Sequence, residues 1–167
     1  MARTITSHSG HMTPLRTITS TAPIRICDNG GWTDTWVARR GKVFNIAVRP
    51  LVTVRIDVFP PGAREERVVL NARNYDLRYA PSLDSPEWGP HPLLEASFRE
   101  VKPPANADIE VTIRSDAPAG ASTGTSAAVL VALLGALDRV AGGRRGPQEI
   151  ASAAHRVETV HLGQQQG

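Results

Sequence analysis

Pro118-Ala-Gly-Ala-Ser-Thr-Gly-Thr-Ser-Ala-Ala128 is a run of small residues between an alternating stretch and a continuously apolar one. Upstream, Asp108-Ile-Glu-Val-Thr-Ile-Arg114 places Ile109, Val111 and Ile113 on one face, the period of a half-buried strand. Downstream, Val129-Leu-Val-Ala-Leu-Leu-Gly-Ala-Leu137 is too apolar for a surface helix and predicts a buried one. Strand, glycine loop and helix in that order build an anion site. Amides at a helix N-terminus lack intrahelical partners, and the helix dipole adds about half a positive charge there. Ala119, Gly120, Ala121, Ser122 and Gly124 leave room for backbone to approach a phosphate. Thr125 and Ser126 put hydroxyls in the first turn, within reach of phosphate or magnesium. The plainer reading is a glycine turn before a core helix.

A second segment, Ala22-Pro-Ile-Arg-Ile-Cys-Asp-Asn-Gly-Gly-Trp-Thr-Asp-Thr35, follows a β-prone run from Thr17 to Thr21. Ile24 and Ile26 alternate with Arg25, which predicts two apolar side chains facing inward and the arginine outward. Gly30-Gly31 ends the strand, and Thr33 and Asp34 project from the turn that follows. A carboxylate accepts hydrogen bonds from neighbouring hydroxyls and a guanidinium meets an anion, so this turn suits a polyhydroxylated ligand. Read alone, Asp34 as a turn cap and Arg25 as a solvated charge fit equally.

Together the two segments resemble the GHMP kinase superfamily. Pro118 to Ala128 is similar to its phosphate loop, P-x-x-x-G-L-G-S-S-A. Ala-Pro-Ile-Arg-Ile followed by Gly-Gly-Trp-Thr-Asp-Thr is similar to the substrate motif of fucokinase-like and D-glycero-D-manno-heptose kinase-like sugar kinases. The resemblance runs from about Thr21 to the last residue. Ser122 and Thr123 stand where the family usually has Gly and Leu, and Thr125 replaces a serine but keeps its hydroxyl. Asp28-Asn29 replaces a more usual apolar or small pair.

The resemblance implies transfer of the ATP γ-phosphate to a sugar hydroxyl, the anomeric C1 hydroxyl of a fucose- or heptose-type sugar. Pro118, Ala119, Gly120, Ala121, Ser122, Thr123, Gly124, Thr125 and Ser126 would cradle the ATP phosphates. Arg25 would act catalytically, near the acceptor oxygen. With Gly30, Gly31, Thr33 and Asp34 it would also form the sugar side. Ser126 and Glu158 would hold Mg²⁺. The implied fold is α+β, the ribosomal protein S5 domain 2-like N-terminal domain, with a left-handed crossover. The family's catalytic aspartate is expected beyond Gly167, and the C-terminal domain is expected to be absent from this chain. As written, the 167 residues are therefore expected to be inactive alone, with the missing half supplied by further sequence or another chain.

The final helix is announced by Gly146-Pro147, because proline suits the first helical position. Ile150, Ala154, Val157 and His161 follow helical spacing and are expected to face inward, with Glu158 beside them. Apart from the resemblance, Glu158 reads equally as a solvated helix carboxylate. His155 and His161 lie six residues apart, not at the i, i+4 spacing of a zinc-binding helix.

Elsewhere, Phe44 to Val48 is β-prone. Val52, Val54, Ile56 and Val58 alternate inward until Pro60-Pro61-Gly62. Arg67 to Ala72 predicts a strand, Pro81 to Pro92 a loop, and His91 to Val101 a helix with Leu94 and Phe98 on one side. The lack of a regular βαβ alternation argues for α+β. Residues 17–167 form the expected domain. Residues 1–16, with the cloning-scar-like Ser-Gly-His-Met12, are expected to lie outside the fold.

Composition narrows the classes further. A hydrophobic fraction of 41% suits a globular chain. Lone Cys27 excludes an internal disulfide and, as a small buried filler, suits a cytoplasmic setting. No run reaches the ~20 apolar residues that span a bilayer, and residues 1–16 lack the apolar core expected of a signal peptide. The net charge of +3 is carried by scattered arginines with few aromatics, against a nucleic-acid platform. Two alternatives stay open: a GHMP kinase of another small alcohol such as homoserine or mevalonate, and a non-catalytic module, pseudokinase or S5-like RNA-binding.

Overall fold

The computed structural model describes residues 3–4, 12–30, 40–117 and 123–164. Its centre is a six-stranded sheet: β1 (Arg3–Thr4), β2 (Arg16–Asn29), β3 (Phe44–Phe59), β4 (Val68–Ala72), β5 (Leu77–Ala80) and β6 (Asp108–Ser115), in spatial order β1-β5-β4-β6-β3-β2. All neighbours are antiparallel except β4 and β6, which run parallel. Three helices accompany it: α1 (Pro92–Glu100), α2 (Thr125–Val140) and α3 (Pro147–Arg156), the last continuing into a π-turn at Val157–His161.

Alternation along the strands fixes which face the helices cover. Val52, Val54 and Ile56 of β3, Ile109, Val111 and Ile113 of β6, and Leu70 of β4 are buried. They join Leu130, Leu133, Leu134 and Leu137 of α2, and Leu94 and Phe98 of α1, in one core. The opposite face is polar: Arg55 pairs with Asp57 at 2.9 Å, and Arg64 and Arg78 reach Glu110 at 3.2 and 3.4 Å. One dry face and one wet face make a two-layer α+β domain.

Several elements are longer than predicted. Thr17–Thr21 and the Ile24 segment form the single strand β2, and Phe44–Val48 joins Val52–Val58 in β3. The pairing absorbs an irregularity: Pro23 faces Leu51 but Ile24 faces Val48, leaving Arg49 and Pro50 outside the register. Ile24 is buried and Arg25 exposed as expected, whereas Ile26 is 54% exposed. Cys27 is exposed, not a buried filler. Both lie towards the end of β2, where its register with β3 shifts again between Cys27 and Asn29. Within the expected tail, Arg3–Thr4 pairs with Tyr79 and Ala80 of β5.

Candidate functional site

α2 starts at Gly124, whose φ of 68° lies in the left-handed region. Its carbonyl accepts the first intrahelical bond, from the Ala128 amide at 3.0 Å, and no side chain caps the first turn. The first-turn amides therefore have no intrahelical partner at the positive end of the dipole. Ser126 is exposed, while Thr125 is half-buried and shares a hydrogen bond with the Thr123 hydroxyl at 3.0 Å.

β2 is stitched onto this turn. The Arg25 amide donates to the Thr123 carbonyl at 2.9 Å. The Arg25 side chain then lies across Gly124, where an added Cβ would meet its Nε at 3.0 Å. Thus Arg25, Thr123, Gly124, Thr125 and Ser126 come together from two distant stretches of sequence. Gly30, at the end of β2, has a φ of 77°, and a Cβ there would collide with the Lys42 carbonyl. Gly31, Thr33 and Asp34, and Pro118, Ala119, Gly120, Ala121 and Ser122, lie outside the described residues.

Glu158 sits in the π-turn and is half-buried. Burial pushes its carboxyl above the usual carboxylate range, against a weaker opposing pull from His155. Among the described residues no hydrogen bond to that carboxylate is seen, so it is partly desolvated without a donor. α2 and α3 pack against each other across the short loop 141–146. Ser126 is fourteen residues back from the end of α2, and Glu158 eleven residues beyond the start of α3. Glu158 is thus carried on the end of a helix that packs against α2, whose first turn holds Ser126. An under-solvated carboxylate and an exposed hydroxyl are the kind of oxygen donors magnesium takes, one or two from the protein with water and other oxygens completing its shell.

His161 does not join the inward stripe with Ile150, Ala154 and Val157. The wide turn shifts the helical phase after Val157, and the His161 ring meets Glu100 at the end of α1, Nε2 to Oε2 3.1 Å.

A small, mostly apolar recess, partly open to solvent, adjoins the α2 N-terminus. Ala72, Tyr75, Ile113, Ala117, Thr125 and Val129 line it. Asn74 forms its back: its amide nitrogen donates to the Ser115 carbonyl, and its oxygen accepts from the Ser115 amide at 2.7 Å. Sequence reading missed this recess, because its walls come from the ends of β4 and β6, the turn 73–75 and the start of α2, which lie far apart in the sequence.

Residues 93–167 match the family described as GHMP kinases N terminal domain. Over those residues the chain is similar to the N-terminal domain of GHMP kinases, and its α+β fold is one it shares with solved kinases. Its structure is similar to a D-glycero-D-manno-heptose 1-phosphate kinase from Bacteriodes thetaiotaomicron (TM-score 0.72, 22% identity, 91% of this chain and 51% of that one). It is also similar to Lactococcus lactis galactokinase complexed with galactose (TM-score 0.73, 16% identity, 92% of this chain and 40% of that one). In sequence, 50 residues are 50% identical to mevalonate kinase of Methanothermobacter thermautotrophicus, covering 30% of this chain and 16% of that protein. The chain thus spans about half the length of the solved heptose-phosphate kinase, and its matched segment a sixth of the curated relative.

Proposed function

We propose that the chain is the nucleotide-binding half of a small-molecule kinase that transfers the γ-phosphate of ATP to a sugar hydroxyl, the anomeric one of a fucose- or heptose-type sugar. The observation that carries this reading is the seam between Arg25 and Thr123–Gly124. It puts the strand leading to the proposed sugar motif directly on the proposed phosphate turn, so donor and acceptor would meet there. The α2 amides and the Thr125 hydroxyl would receive phosphate oxygens. The recess between Tyr75 and Val129 would take the flat base, burying apolar ring surface. The Arg25 guanidinium, fixed against Gly124, would face charge that develops on the transferring group. Ser126 and Glu158 would hold magnesium, which would neutralise part of the phosphate charge. Asp34 would accept hydrogen bonds from sugar hydroxyls.

Titration of ATP into the chain, with and without magnesium, tests the nucleotide half. Ser126→Ala should retain metal-free binding and lose the tightening that magnesium brings; equal tightening would remove its assigned role. In a polypeptide complete with the second half, Asp34→Ala should abolish phosphorylation across a sugar panel.

The local 40–50% identity to archaeal mevalonate kinases favours a second reading, a branched alcohol as acceptor. Phosphorylation of mevalonate but no sugar, unaffected by Asp34→Ala, would establish it. RNA binding without ATP binding would displace both in favour of a non-catalytic module.

A further inference from the structure

The π-turn that carries Glu158 is held at both ends by one side chain from another helix. Arg156, just before the turn, donates to Glu100 Oε1 through Nε at 3.2 Å and Nη2 at 2.5 Å. His161, its last residue, meets the other carboxylate oxygen at 3.1 Å. Glu100 is nearly buried, its side chain 11% exposed, although Arg156 is 47% exposed. It also ends α1, where the helix dipole disfavours a negative charge. A carboxylate in so unfavourable a position needs both partners. Inside the bracket the turn is wide: the Leu162 amide reaches back to the Val157 carbonyl at 3.2 Å, and the Gln164 amide to the Glu158 carbonyl at 2.8 Å. Val157 is fully buried and pins the inner side. A π-turn is intrinsically less stable than a regular one, so its shape depends on such external anchors.

We infer that Glu100 is a positioning residue: by gripping Arg156 and His161 it fixes the π-turn so that Glu158 points where a phosphate-bound magnesium can use it. The inference rests on the nucleotide-site reading above, and nothing in the family resemblance assigned Glu100, Arg156 or His161 a role.

The test reads metal coupling rather than turnover: the ratio of the ATP dissociation constant in EDTA to that in magnesium. Glu100→Ala should reduce this ratio by about tenfold, the usual lower effect of removing a group behind a metal ligand. The metal-free constant should stay within about twofold of the unmodified chain, since the phosphate turn itself is untouched. Arg156→Ala, at an exposed position, should reduce the ratio in the same direction, and Arg156→Lys should restore part of it. These arginine variants decide the matter if Glu100→Ala does not fold. An unchanged ratio in Glu100→Ala and Arg156→Ala, with a collapsed one in Glu158→Gln, overturns the bracket and leaves the site reading intact. An unchanged ratio in Glu158→Gln overturns the site reading, and the bracket with it. Loss of metal-free binding in parallel with metal binding would mark Glu100 as purely architectural and also overturn the inference.

Discussion

Gly124 lacks a side chain for two separate reasons. Its φ of 68° costs an L-residue roughly 1–2 kcal/mol, and a Cβ would press on the Arg25 side chain at 3.0 Å. Gly124→Ala should therefore lower stability by about that amount and, by displacing Arg25, weaken ATP binding as well. Thermal melts and a binding titration on the same sample would separate the two effects. The glycine turn itself was legible, because a run of small residues between an alternating stretch and an apolar one marks a turn into a buried helix. Buried carboxylates were not. Glu95 looks like any helix glutamate, yet it is 5% exposed and accepts from the Tyr79 hydroxyl at 2.8 Å, the Gly89 amide at 2.6 Å and the His91 amide at 3.3 Å. It ties the loop before α1 to β5, and with burial it pushes the Tyr79 phenol strongly up. Glu95→Ala should cost about 1–3 kcal/mol for each donor left buried without a partner, read as a fall in denaturant midpoint.

Two glutamates near the end of the helical hairpin should respond to pH in opposite senses. Burial alone would raise the Glu100 carboxyl, but hydrogen bonds and charge from Arg156 and His161 hold it below its ordinary value. The folded chain therefore binds this proton more weakly than the unfolded one. Its stabilisation is complete above the unfolded value and is lost as pH falls through the folded one. Glu100→Gln should melt below the unmodified chain at neutral pH and converge with it in acid. Glu158 is raised by burial, so its ionisation costs stability as pH climbs from the unfolded to the folded value. Glu158→Gln should melt higher at neutral pH, with the advantage vanishing in acid; a destabilised variant would refute this. The helices α1, α2 and α3 were readable from period and start signals. The π-turn was not, because one extra residue in a turn leaves apolar spacing almost unchanged while rotating everything beyond it, His161 included. The four residues of β5 were too short to register as a pattern.

For the molecule as a whole, stability resides in the face between sheet and helices. Leu133 is fully buried there, and Leu133→Ala should cost about 2–5 kcal/mol, whereas Arg55→Ala on the solvated polar face should leave the denaturation midpoint nearly unchanged. Chemical denaturation of both variants would check the contrast. That α+β division could be read from the alternating strands and the apolar α2. The pairing of β4 with β6 could not, since alternation tells a strand which way to face but not whom to sit beside.

That pairing also bears on how the chain is made. β6 lies between β3 and β4, and among the described residues it is the last strand. During synthesis, β3 and β4 must wait until residue 115 has left the ribosome, their unpaired backbone amides and carbonyls open to strands of other chains. A fragment stopping at Ala107 should accordingly collect in the insoluble fraction, while one carried through to Gln164 closes both edges with a single strand.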